Sequence, residues 1–156
     1  MKLQKFSLID TPHSCSILYF PGCNLDCSYC YNLKLYNNVV EDTDIDLDGA
    51  IDYIKSIKQK NPNGETFNTV DYVLFSGGEA TRHPIFLKNL CKIVKDEYLK
   101  TALYTNGVNT YVVKELLEDG LLDFINVDYK LVTNYGRFMF AIVCLHIYIY
   151  RIAIYL

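Results

Sequence analysis

No stretch of the chain gathers lysine and arginine into the stripe that neutralises nucleic-acid phosphates; 15 basic residues lie interspersed among 18 acidic ones, for a formal charge of −3. Nucleic acid is thereby set aside as the main partner, and small molecules or proteins are expected instead. Internal repeats and low-complexity linkers are also missing, so nothing divides the chain into modules. With 156 residues, 51% of them apolar, it fits one domain with one core. The opening Met1-Lys2-Leu3-Gln4-Lys5 runs into mixed polar sequence with no cleavable apolar segment, which points to a reducing, cytoplasmic setting. There, closely spaced cysteines are more often metal ligands or catalytic groups than disulfide partners. Of the six cysteines, Cys15, Cys91 and Cys144 stand apart, and each is expected to be a small buried side chain.

What is present is an alternation of apolar runs with helical periods, the α/β rhythm. Ser16 to Phe20 reads as a first strand, stopped by Pro21-Gly22, with a cysteine-bearing loop directly after it. Leu47, Ala50, Ile51, Ile54 and Ile57 recur at helical spacing behind Asp46 or Asp48 as a cap, and Pro62-Asn63-Gly64 breaks that helix. Val70 to Phe75 is a second strand ending at Ser76-Gly77-Gly78-Glu79. Pro84 suits the first turn of a helix reaching about Tyr98. Thr101 to Thr105 is a third strand, ending at Asn106-Gly107. A helix through Val112 and Leu116 is terminated by Gly120, and Asp123 to Val127 is a fourth strand ending in Asp128-Tyr129-Lys130. About four βα units with polar residues at every strand end resemble the functional rim of a parallel barrel.

Cys23-Asn-Leu-Asp-Cys27-Ser-Tyr-Cys30 places three thiolates in one loop. Structural zinc normally closes with four ligands, and ordinary iron-sulfur clusters also take four protein thiolates. A cluster held by three leaves one iron open to a small molecule. On the residues alone, a zinc site completed by His13, Cys15 or His83 stays open. Gly77-Gly78-Glu79, straight after a strand, gives its glycines a reason, since backbone without Cβ lets a ligand approach.

The CxxxCxxC spacing, with aromatic Tyr29 before the last cysteine, resembles the signature of the radical S-adenosylmethionine (radical SAM) superfamily. That resemblance implies a partial (β/α) barrel of the radical SAM type and a 4Fe-4S cluster on Cys23, Cys27 and Cys30. Its open iron would chelate the amino and carboxylate groups of S-adenosylmethionine, and one electron would break the S–C5′ bond to give a 5′-deoxyadenosyl radical. Gly77, Gly78 and Glu79 are similar to the family's GGE motif, with Glu79 receiving the methionyl ammonium. Asn106 would meet the ribose, Lys130 the carboxylate, and Asp128 would hold Lys130 or a cation. Tyr29 would complete the cofactor-binding set. A flavodoxin-type electron donor is implied as well.

Within the superfamily, Ser7-Leu8-Ile9-Asp10 together with GCNLDCSYCYN and SGGEATRHP most resembles the activating proteins of anaerobic ribonucleoside-triphosphate reductase. These abstract hydrogen from a glycine Cα of the partner reductase and leave a stored glycyl radical. Two positions depart from the pattern: Tyr104 stands where an acidic residue often precedes TNG, and Ala80 where proline commonly follows GGE. A 7-carboxy-7-deazaguanine synthase-like enzyme is the alternative within the superfamily. A non-catalytic metal-binding module or inactive fragment is the alternative outside it.

The resemblance covers roughly residues 1–132, and the expected core is 1–135, leaving 136–156 as an atypical apolar tail. From Phe138 the tail reads FMFAIVCLHIYIYRIAIYL. A membrane helix needs about twenty apolar residues, and Arg151 and His146 lie inside this run, so a membrane is not favoured. A buried strand or helix filling the place of further units is a second reading. A truncated or frame-shifted end that the fold did not select is the expectation adopted.

Overall fold

The apolar runs pair side by side because each is buried on both faces, the pattern that a parallel sheet covered by helices requires. The computed structural model describes residues 1–11, 13–27, 30, 32–37, 44–132 and 138–148, with 129–132 and 138–148 described as backbone. In chain order the elements are β1 (Lys2–Ser7), β2 (Cys15–Phe20), α1 (Leu33–Tyr36), α2 (Leu47–Ser56), β3 (Lys58–Lys60), β4 (Thr66–Asn68), β5 (Tyr72–Gly77), α3 (Pro84–Asp96), β6 (Lys100–Thr105), α4 (Thr110–Glu118), β7 (Phe124–Val132) and β8 (Phe138–Tyr148). The main sheet has the order β1-β2-β5-β6-β7-β8. Its four inner strands are mutually parallel, while β1 and β8 run antiparallel at the edges. The result is an open α/β sheet that forms part of a (β/α) barrel.

Alternation along each strand feeds two cores. Leu18, Phe20, Val73, Phe75, Leu103 and Ile125 face the helices and pack with α2 and α3 through Ile54, Leu87 and Leu90. On the other face Cys15, Ile17, Tyr72, Leu74, Ala102 and Phe124 form a smaller cluster, with Tyr19 and Tyr104 against it. This second face is the barrel's inner wall, and its upper end carries the polar residues.

The helix ends follow local chemistry. Asp46 is the cap of α2, its carboxylate accepting from Gly49 N at 2.8 Å, while Asp48 sits in the first turn where the helix dipole favours an anion. Pro84 opens α3. Gly120, at φ 66°, ends α4, and Leu121 N returns to Leu116 O at 2.9 Å.

Several expectations from sequence are corrected. The N-terminal segment is a strand, β1, which mixed polar sequence conceals because only one face of an edge strand is covered. Pro62-Asn63-Gly64 does more than break a helix: it is the turn of the β3–β4 hairpin. The second parallel strand begins at Tyr72 and not at Val70, which is buried ahead of it. The fourth does not stop at Val127. It runs on to Val132 because β8 supplies a ladder, pairing Asp128 with Cys144 and Lys130 with Phe140 around a register shift. Asp128 and Lys130 therefore lie within a strand and not beyond its end.

The expected boundary at residue 135 falls outside the described residues. Residues 138–148 pair into the same sheet as a strand, which removes the membrane-helix reading for that segment. Among the described residues no helix is long and apolar enough to cross a membrane.

Cys15 and Cys91 are buried, as expected, whereas the Cys144 side chain lies outside the description. Burial pushes the Cys91 thiol up to about 12 and also raises that of Cys15, where the charge of Asp10 adds to it. Alkylation of the native, metal-free protein at pH 8, followed by peptide mass mapping, is expected to modify Cys23, Cys27 and Cys30 and leave Cys15 and Cys91 unmodified until denaturant is added.

Candidate functional site

The C-terminal ends of β2, β5 and β6 and the middle of β7 surround a cavity of about 150 Å³ lined by Cys23, Cys27, Cys30, Glu79, Asn106 and Asp128. Residues that are distant in sequence, and were singled out from it, thus share one wall. Tyr29 and the Lys130 side chain lie outside the described residues.

The cysteine loop leaves β2 through Pro21-Gly22, with Gly22 at φ 74° and its N–H donating to Leu35 O at 2.7 Å. Cys30 N donates to Cys27 O at 2.9 Å, and Leu25 N to Cys23 Sγ at 3.5 Å. Burial, more than any other cause, raises the Cys23 thiol, with the charge of Glu79 acting in the same direction.

Glu79 is 2% exposed and accepts four hydrogen bonds from the protein itself. Its Oε1 accepts from Thr81 N at 3.1 Å, Thr81 Oγ1 at 2.6 Å and Thr105 Oγ1 at 2.8 Å, and its Oε2 from Asn106 N at 2.8 Å. The carboxylate clamps the end of β6 to the turn after β5, and only Oε2 keeps a lone pair for a ligand. Sequence reading missed Thr81 and Thr105. A hydroxyl two residues after the glutamate, and another just before Asn106, were the available signals.

Both glycines are packed closely against backbone. A Cβ on Gly78 would sit 2.1 Å from Gly22 O, and one on Gly77, at φ 122°, would sit 2.4 Å from Phe20 N and O. The backbone at the end of β2 and at the start of the cysteine loop thus comes close to Gly77 and Gly78 respectively, and Glu79 N donates to Gly22 O at 2.8 Å. Asn106 joins the same latch. Its Nδ2 donates to Asn24 Oδ1 at 2.7 Å and lies 3.8 Å from Cys23 Sγ, while its Oδ1 accepts from Val108 N at 3.1 Å.

A larger cavity of about 440 Å³ adjoins the first, with Asn32, Ser76 and Tyr104 lining both and Lys2, Asp10 and Lys34 on its own wall. Tyr104 OH donates to the Asp10 carbonyl.

Of the residues considered as a fourth zinc ligand, Cys15 and His13 lie at the opposite end of β2 from the cysteine loop. Cys15 starts β2 and the loop follows its end, so six residues at about 3.3 Å each separate them. His13 stacks on Tyr72, paired with Cys15 at that same lower end. His83 Nε2 is 2.9 Å from Pro21 O. Among the described residues no three His, Cys, Asp or Glu side chains converge on one ion. Three thiols lining one cavity are the soft donor set that an iron-sulfur cluster takes. Three soft donors and one remaining anionic lone pair fit a 4Fe-4S cluster with a cationic small molecule beside it.

Residues 17–141 match the sequence model of the radical SAM superfamily. The chain belongs to that superfamily. Membership implies a 4Fe-4S cluster and S-adenosylmethionine as cofactors. Pyruvate formate-lyase-activating enzyme of Clostridium pasteurianum is 31% identical over 143 residues, covering 86% of this radical SAM chain and 57% of its own length. A protein of Methanocaldococcus jannaschii, provisionally named a glycyl-radical enzyme activating enzyme, is 27% identical over 130 residues, 80% of this chain and 47% of its own. 7-Carboxy-7-deazaguanine synthase of Rickettsia prowazekii is 34% identical over 87 residues, 55% and 32% respectively. The chain thus spans about half, or less, of the length of these relatives.

Gly78→Ala is expected to push the cysteine loop off β5 and to reduce iron incorporation on anaerobic reconstitution to a small fraction of wild type, measured as iron per chain. Glu79→Gln turns an NH2 towards donors that now meet an oxygen. It should destabilise the metal-free protein by about 1.5–3 kcal/mol, read from urea denaturation.

Proposed function

We propose that this chain is a radical SAM oxidoreductase of the glycyl-radical enzyme activating type, acting on a glycine Cα of anaerobic ribonucleoside-triphosphate reductase, with a flavodoxin-type donor supplying the electron. The observation that carries this reading is the single cavity in which Cys23, Cys27 and Cys30 face Glu79, Asn106 and Asp128. When bound, the cluster and S-adenosylmethionine supply one-electron cleavage of the S–C5′ bond and the hydrogen-abstracting radical. The three thiolates hold the cluster in this reading, with Tyr29 beside the last of them. Glu79 offers its remaining Oε2 lone pair to the methionyl ammonium, while its other bonds keep that oxygen fixed. Gly77 and Gly78 let the glutamate turn and the cysteine loop meet at backbone distance. Asn106 holds the loop shut and borders the ribose position. Lys130 is assigned to the carboxylate and Asp128 to Lys130 or a cation. The activating-enzyme names of two relatives that cover most of this chain support the assignment of type.

The 7-carboxy-7-deazaguanine synthase-like alternative has its own support in the relative from Rickettsia prowazekii and in the polar wall of the larger cavity. Product analysis separates the two. Anaerobic reconstitution with iron and sulfide, reduction by dithionite and addition of S-adenosylmethionine should release 5′-deoxyadenosine. With the reductase present, the sample should show a glycyl-radical resonance. Cys23→Ala should abolish the iron-sulfur absorbance and both products. Stoichiometric zinc with neither absorbance nor 5′-deoxyadenosine would instead make the protein a metal-binding module.

A further inference from the structure

Asn32, Ser76 and Tyr104 line both of the adjoining cavities, and they therefore frame the passage between them. Ser76 and Tyr104 are neighbours on the concave wall. Phe75 of β5 pairs with Leu103 of β6, each one residue earlier, so the two stand on adjacent strands about 4.8 Å apart. Asn32, at the start of α1, completes the frame from outside the sheet. The sides of this frame are unequal. Ser76 contributes a single hydroxymethyl group, whereas Tyr104 contributes a half-buried ring that is fixed at both ends. Its backbone belongs to β6, its hydroxyl donates to the Asp10 carbonyl, and the Phe124 ring backs it at 6.5 Å between centroids. A ring held in this way turns aside only by giving up that hydrogen bond. On one side of it lie about 440 Å³, within the range of ligand pockets, roughly 300–1,000 Å³; the cysteine side holds about 150 Å³.

We infer that Tyr104 is a specificity-determining residue: its tethered ring narrows the passage so that, of a peptide lodged in the larger cavity, only a carbon without a side chain reaches the cysteine side. This rests on the activating-enzyme reading above and deepens it, since it gives a steric reason for glycine as the residue attacked. Glycine brings no Cβ through the frame. Any other residue must carry its Cβ past the ring, and exclusion by such a clash discriminates by penalising the wrong substrate rather than by holding the right one more tightly. The flanking peptide meets Ile17 and Leu74 and the polar Lys2, Asp10 and Lys34 on the larger side. The hydrogen atom that leaves the glycine Cα ends in the methyl group of 5′-deoxyadenosine, and the unpaired electron stays on Cα. Tyr104 takes no part in that transfer.

The test uses the full chain, reconstituted anaerobically, with two probes: the intact anaerobic reductase and the same reductase with its radical-bearing glycine replaced by alanine. Dissociation constants are read from the anisotropy of labelled reductase, and hydrogen transfer from mass spectrometry of 5′-deoxyadenosine after deuteration of the glycine or alanine Cα. Wild type should bind the alanine form about tenfold or more weakly and take no deuterium from it. Tyr104→Ala should bring the two dissociation constants within about twofold of each other and take deuterium from alanine, with iron per chain and affinity for S-adenosylmethionine at wild-type values. Tyr104→Phe, which keeps the ring and removes the tether, should fall between. Ser76→Val narrows the frame from the other strand and should reduce deuterium transfer from glycine at unchanged iron content, which keeps the inference open to refutation if Tyr104→Ala fails to take up iron. A wild type that binds both forms equally, or a Tyr104→Ala that still rejects alanine, overturns the inference. So does a Tyr104→Ala that keeps its selectivity and loses affinity for S-adenosylmethionine, which would make Tyr104 a cofactor contact. A wild type that binds neither form and leaves no glycyl radical removes the activating-enzyme reading itself, and that outcome is distinct from a wild type that acts on glycine beside a Tyr104→Ala that discriminates as before.

Discussion

A buried carboxylate that the protein satisfies by itself holds the upper rim together. Glu79 takes four hydrogen bonds from Thr81, Thr105 and Asn106, and its own N–H reaches the start of the cysteine loop. Leaving an anion unpaired in such a place would cost several kcal/mol, so the donors and the acceptor specify one another. Because the donors sit on two different strand ends, this one group fixes the spacing of β5 and β6 and the seat of the loop that carries three thiols. The two preceding glycines make it possible: with any side chain there, loop and turn could not close to hydrogen-bonding distance.

The division of labour along each strand is equally physical. Odd and even positions face different surroundings, helices on one side and the concave wall on the other, so continuous apolar runs are needed where both are dry. Towards the upper ends the concave wall turns polar. That change of character within a few residues brings Ser76, Asn106 and Asp128 beside the cysteines while the strands themselves remain anchored in a packed interior.

Most of this was legible in the chain because it depends on short-range patterns. Apolar runs bounded by glycine and proline marked β2, β5 and β6, helical spacing with a proline or aspartate in front marked α2 and α3, and the cysteine spacing marked the loop. What was not legible depends on partners far away in sequence. β1 has only one covered face and no clear alternation; β7 was read as ending at Val127 because nothing local reveals that β8 will extend its ladder. The glycines of the GGE turn could be recognised as requiring close approach, but that Gly22 O is what approaches is a fact of tertiary structure. The roles of Thr81 and Thr105 were hidden for the same reason, since a threonine among threonines carries no mark of the carboxylate it will meet.

The antiparallel strand at the far edge has a consequence of its own. β8 occupies the flank of β7 where another parallel strand would add, and it runs back towards the lower end. The sheet thus carries an antiparallel strand at each edge, β1 and β8, with the cysteine-lined cavity over its inner parallel strands. An edge of that polarity cannot continue a parallel ladder, so the run of parallel staves ends at β7.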